Sequence, residues 1–70
     1  MTLEQRIKEL ESRCKSLEFK FDDGQWNVMI LHCSGIKAYG LGSTLESALD
    51  HVELIARQRA RELRLKGWEF

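Results

Sequence analysis

A chain of 70 residues is long enough for one small domain, 1–70, with a thin core. At this size only about 60 % of the unfolded surface is buried, so association with a partner or a second copy adds useful stability. Eleven Lys and Arg balance eleven Asp and Glu, which excludes a general electrostatic pull toward nucleic acid or anionic membrane.

No apolar run approaches the about 18–20 residues of a membrane span. Met1-Thr2-Leu3-Glu4-Gln5 is charged and helical in pattern, unlike a secretory leader. The expected location is therefore the cytoplasm, with no membrane association. The two cysteines, Cys14 and Cys33, leave one disulfide open on counting alone. Cys14 falls on an apolar helical stripe, which favours two unpaired thiols in a reducing compartment. Proline is absent, and no repeat, linker or low-complexity stretch interrupts the chain.

Thr2, with Gln5 three positions on, opens the first helix as a capping box. Leu3, Ile7, Leu10, Cys14 and Leu17 follow at spacings of four, three, four and three, which predicts one apolar helical face reaching Ser16. Glu4 with Lys8, Glu9 with Arg13 and Glu11 with Lys15 are favourable pairs four apart on the wet side. The seam lasts about two heptads, too short for a coiled coil, so a helix packed on a sheet is expected.

From Glu18 the period changes to two. Phe19 and Phe21 alternate with Glu18 and Lys20, Asp23-Gly24 signals a tight hairpin, and Trp26, Val28 and Ile30 continue the alternation. A two-residue turn places Phe21 opposite Trp26 and Phe19 opposite Val28, both apolar pairs on one face. Ser34-Gly35 is the second turn, and Ile36 to Leu41 returns as a third strand.

Gly40-Leu41-Gly42 leads into the last element, where Ser43 with Glu46 reads as a capping box. The two glycines are expected to permit a sharp bend there. Leu45, Ala48, Leu49, Val52, Ile55, Ala56, Ala60 and Leu63 recur at helical spacing up to about Lys66, and Gly67 is a natural terminator. The order is α-β-β-β-α: an α+β domain whose three-stranded antiparallel sheet carries both helices on one face. The face with Phe19, Phe21, Trp26, Val28 and Ile30 is the expected core. Met29, Leu31, Ile36 and Ala38 are then expected on the opposite face as an uncovered apolar group, which marks an interaction surface.

Residues that could carry chemistry point away from catalysis. His32 lies near a strand end and His51 on the last helix. Cys33 is not expected to pair with His32, because adjacent strand residues point to opposite faces. Asp22, Asp23, Asp50 and Glu53 occupy an ordinary turn and an ordinary helix. Cys14, Cys33, His32 and His51 lack the short paired spacing of a structural zinc site. Gly40-Leu41-Gly42 lacks the third glycine of a dinucleotide loop. No catalytic residue, metal or cofactor is expected. The cationic run Arg57, Arg59, Arg61, Arg64 and Lys66 contains one anion, Glu62. Arg57, Arg61 and Arg64 share one side of the helix, complementing either its own dipole or an acidic partner. Trp68 and Phe70 in the tail are expected either to fold back or to bind a partner.

The α-β-β-β-α order and the Gly40-Leu41-Gly42-Ser43-Thr44 junction resemble the double-stranded-RNA-binding domain. That resemblance implies a phosphate-gripping surface at the start of the last helix. The residues there, Thr44 to Leu49, include no cation, and Glu46 repels phosphate. Trp26-Asn27-Val28-Met29-Ile30, Gly35, Gly42 and Thr44-Leu45-Glu46-Ser47-Ala48-Leu49 look like the core of HicB-type antitoxins. This second resemblance implies toxin neutralisation and oligomeric assembly. The resulting expectation is a non-enzymatic protein-binding module that inhibits a larger protein and forms a homodimer or higher oligomer. Its expected contact residues are Met29, Leu31, Ile36, Ala38, Arg57, Arg61, Arg64, Trp68 and Phe70. The alternative is a nucleic-acid-binding domain that uses the basic end of the last helix.

Overall fold

The computed structural model describes residues 2–64, ordered α1 (Leu3–Arg13), β1 (Cys14–Asp22), β2 (Gln25–His32), β3 (Lys37–Gly42) and α2 (Leu45–Glu62). The expected architecture is present: a three-stranded antiparallel sheet of order β1-β2-β3 with two helices laid on it. α1 rests on β1, and α2 lies across β3 and β2. One continuous core joins Leu10 of α1, Val28, Ile30, Ile36 and Ala38 of the sheet side, and Ala48, Leu49, Val52, Ala56 and Ala60 of α2. Arg6 ties the helices together, with Nη2 2.5 Å from Asp50 and 3.1 Å from Glu53.

The first helix begins as expected. Thr2 accepts the Gln5 N–H at 3.2 Å, and the Gln5 side chain accepts the Thr2 N–H at 3.0 Å. It ends three residues earlier than expected, at Arg13, and Cys14 starts a strand. A β-bulge between Cys14 and Ser16 accounts for the difference. The extra residue brings Cys14 and Leu17, three apart, to the same core side, where both pack on the apolar cluster. That spacing imitates one turn of helix. Lys15 consequently sits in the strand, so it cannot pair with Glu11 along a helix.

The first hairpin follows its turn chemistry. Asp23 (φ 54°) and Gly24 (φ 74°) both take the left-handed conformation of a type I′ turn. Phe21 pairs with Trp26 and Phe19 with Val28, as the two-residue loop requires. The Phe21 and Trp26 rings stack obliquely with centroids 5.1 Å apart.

The second hairpin corrects the expected faces. The Gly35 N–H donates to the His32 carbonyl at 2.9 Å, and the His32 N–H donates to the Ile36 carbonyl at 2.7 Å. Cys33-Ser34-Gly35 is thus a three-residue loop, with Gly35 at φ 95° completing it. One residue more than a two-residue turn shifts the pairing by one and inverts the following strand. Ile30 faces Ala38 and Met29 faces Tyr39. Ile36 and Ala38, expected on the outer face, are buried in the core at 3 % and 0 % exposure. Tyr39 and Leu41 take the outer positions instead.

The glycines before α2 serve packing rather than bending. Neither Gly40 nor Gly42 has positive φ. A Cβ on Gly40 would lie 2.5 Å from the Ala48 carbonyl oxygen and 2.5 Å from the Val52 nitrogen. A Cβ on Gly42 would lie 2.5 Å from the Ala48 nitrogen. The helix backbone therefore rests directly on β3. The α2 N-cap is Thr44, one residue beyond Ser43, and accepts the Ser47 N–H at 3.1 Å. The helix closes at Leu63, followed by Arg64 in the left-handed region at φ 54°. Gly67 lies outside the described residues.

Candidate functional site

With both helices on one face, the opposite face of the sheet is open among the described residues. Pairing across the strands arranges it in three rows: Ser16–Leu31–Lys37, Glu18–Met29–Tyr39 and Lys20–Asn27–Leu41. Its centre is apolar and its β1 margin carries Glu18 and Lys20. Met29 and Leu31 are half-buried, whereas Tyr39 and Leu41 expose 54 % and 50 % of their surface. A shallow groove of about 530 Å³ runs between Glu18, Lys20 and Asn27 on one side and Tyr39 and Leu41 on the other, with Met29 in its floor.

The groove depends on the glycine contact beneath it. Gly40 lets α2 approach the inner side of β3 closely, so the helix covers that side and Tyr39 and Leu41 point away from it. The outer edge of β3 is partly closed as well. His51 of α2 accepts the Leu41 backbone N–H on Nδ1 at 3.0 Å, occupying a donor that an added strand would otherwise use.

Of the residues singled out in the sequence, Met29 and Leu31 lie on this open face. Ile36 and Ala38 do not, for the loop-parity reason given above. Arg57 and Arg61 are exposed near the far end of α2; Arg64, also exposed, lies past the C-cap with a left-handed backbone, so it does not share a helical side with them as expected, and the cationic area lies at the helix end rather than on the sheet. Trp68 and Phe70 lie outside the described residues. Tyr39 and Leu41 were missed, and the signal for them was Gly35: a glycine at the third loop position indicates a three-residue hairpin.

The histidines have structural partners. His51 holds the β3 edge. His32, 5 % exposed, accepts the Ser34 N–H on Nδ1 at 3.1 Å, and that nitrogen is 2.8 Å from Ser34 Oγ. Cys33 departs from expectation, with Sγ 3.7 Å from His32 Nδ1 and 4.0 Å from Nε2. As the first loop residue it has left the ladder, so strand alternation no longer holds its side chain on the opposite face. Burial, and secondarily the nearby Cys33, push the Cys14 thiol above its ordinary range. Partial burial works against the Arg6 charge, but hydrogen bonds to Asp50 and Glu53 outweigh it and hold the guanidinium above its ordinary value. Among the described residues, no group of three or more His, Cys, Asp or Glu is arranged to hold a metal ion, and no helix is long and apolar enough to cross a membrane.

Comparison with protein-family models, curated proteins and solved structures found no match to this chain.

Proposed function

We infer that this chain is a small cytoplasmic, non-enzymatic protein-binding module that inhibits or neutralises a larger protein by docking it on the open face of the sheet. The observation that carries the reading is the contiguous apolar group Met29, Leu31, Tyr39 and Leu41, which no other described element covers, while the domain packs its core against the other face of the sheet. Surfaces of that kind mark interaction sites. Tyr and Met are also side-chain types enriched in interface cores, and Glu18, Lys20 and Lys37 supply a polar rim. The same face can receive a second copy, giving a homodimer. The local likeness of Trp26–Ile30 and Thr44–Leu49 to HicB-type antitoxins favours toxin neutralisation as the form of inhibition.

Tyr39→Asp places a charge within the apolar group, on edge strand β3 beside Met29, without touching the core. It is expected to weaken partner binding by about 2 kcal/mol or more, some 30-fold, as loss of an aromatic anchor does. Unchanged affinity in a folded variant would overturn the reading. A second reading is favoured by Arg57 and Arg61, exposed on α2, with Arg64 exposed just past its end: binding to a nucleic-acid backbone. It requires affinity that falls steeply with salt, and a gel shift absent at low salt would eliminate it.

A further inference from the structure

The two cysteines, distant in sequence, meet at one end of the sheet. Cys14 is the Cα partner of His32 across β1 and β2. Cys33 follows His32 directly, and its N–H donates to the Arg13 carbonyl at 3.1 Å. That carbonyl belongs to the peptide joining Arg13 to Cys14. With standard backbone dimensions, this one hydrogen bond keeps the two cysteine Cα atoms within about 7 Å of each other. Disulfides span about 4.4–6.8 Å between Cα atoms.

Side-chain placement agrees. Cys33 Sγ lies against the His32 ring, 3.7 Å and 4.0 Å from its two nitrogens, so the sulfur is on the side of the strand that His32 occupies. Cys14 stands opposite His32 and packs half-buried against the core. The bulge after Cys14 and the loop beginning at Cys33 both interrupt the ladder here. This end of the hairpin therefore has conformational room that a continuous ladder lacks. Both thiols are free in this structure.

We propose that Cys14 and Cys33 form a reversible intramolecular disulfide, a redox-modification site that clamps the start of β1 to the end of β2. The exposure difference sets the order of attack. Cys33 is exposed and reacts first; Cys14, half-buried, resolves. With a low-molecular-weight disulfide such as oxidised glutathione as oxidant, the Cys33 thiolate attacks one glutathione sulfur. That step forms a mixed disulfide and releases one glutathione thiolate. The Cys14 thiolate then attacks Cys33 Sγ, closes the protein disulfide and releases the second glutathione. In sum, two protein thiols are oxidised and one glutathione disulfide is reduced to two thiols; the two protons lost by Cys33 and Cys14 are taken up by the released glutathione thiolates.

The test is oxidation of the full chain by oxidised glutathione, followed by intact mass and peptide mapping under non-reducing conditions. The expected product is a monomer lighter by two hydrogens with a Cys14–Cys33 cross-link, reversed by dithiothreitol. Iodoacetamide is expected to label Cys33 at least about 10-fold faster than Cys14 in the native protein, as its exposure requires. Ring closure is expected to be at least about 10-fold faster in the folded chain than in urea, because the fold holds the sulfurs together. Cys14→Ala is expected to stop at the glutathione adduct on Cys33; Cys14→Val, which keeps the apolar contact, repeats the test if alanine loosens the fold. A lasting glutathione adduct on the wild-type chain, a disulfide-linked dimer as main product, or closure no faster than in urea would overturn the proposal.

Discussion

Replacing Gly40 with alanine tests the packing on which the open face depends. The added methyl would sit 2.5 Å from the Ala48 carbonyl oxygen, 2.5 Å from the Val52 nitrogen and 2.7 Å from Val52 Cβ. Ordinary contact is about 3.5–4.0 Å, so the helix must retreat by about an ångström. Two of the three obstacles are backbone atoms, and no change of side-chain rotamer relieves them. Overpacking of a core costs about 1–3 kcal/mol, and the backbone obstacles place this case at the upper end. A domain of this length has only about 3.5–10 kcal/mol of stability in total. A loss of about 3 kcal/mol lowers Tm by about 12–24 °C in a domain of this size. Urea and thermal unfolding followed by circular dichroism measure the change. Gly35→Ala is the control: its φ of 95° carries backbone strain, but nothing lies within 4 Å of the new Cβ, so the cost is about 1–2 kcal/mol. A Gly40→Ala protein within about 0.5 kcal/mol of wild type, or less affected than Gly35→Ala, would refute the close-approach argument.

Further predictions separate the two sheet faces, locate the cap and fix a pH response. Leu31→Asp is expected to remain folded with stability changed by about 1 kcal/mol or less, whereas Ala38→Asp buries an unpaired carboxylate in the core and is expected to unfold the chain, both read by circular dichroism. Equal effects would mean that the faces are wrongly assigned. Thr44→Ala should lose about 1 kcal/mol and Ser43→Ala less than about 0.5 kcal/mol in urea titrations, because Thr44 holds the Ser47 N–H. Arg6→Ala should cost about 1 kcal/mol and reduce the salt sensitivity of unfolding, since its partner Asp50 is largely exposed while Glu53 is mostly covered. The folded state raises the Cys14 thiol above its ordinary 9.0, so the unfolded chain releases that proton first. The contribution is intact below pH 9.0 and is lost as pH rises beyond it. Cys14→Ala should flatten this part of the stability–pH curve.

The element order and the first hairpin were legible because local chemistry decides them: Asp23-Gly24 specifies its own turn, and the alternation on both sides agrees with it. The faces of β3 were not legible from alternation alone. Their assignment turns on whether the loop before it has two residues or three, and Ser34-Gly35 suits the first count while Cys33-Ser34-Gly35 suits the second. The end of α1 was obscured by the bulge, which gives Cys14 and Leu17 a helical spacing within a strand. The roles of Gly40 and Gly42 were misread because a sequence does not show how closely a helix lies on a strand. Half of the expected apolar site, Met29 and Leu31, therefore stands on the open face. The other half is replaced by Tyr39 and Leu41, which are more exposed and extend the face toward β3.

Docking through this face is tested most directly by affinity capture with wild-type and Tyr39→Asp chains side by side. Both baits are first shown to be folded, lysates are run with and without nuclease treatment, and retained proteins are quantified by mass spectrometry. The account predicts one near-stoichiometric protein on the wild-type bait, reduced about 30-fold on Tyr39→Asp and retained by a chain carrying Arg57→Glu and Arg61→Glu. Equal retention by the wild-type and Tyr39→Asp baits, or loss of the captured material on nuclease treatment alone, would contradict it.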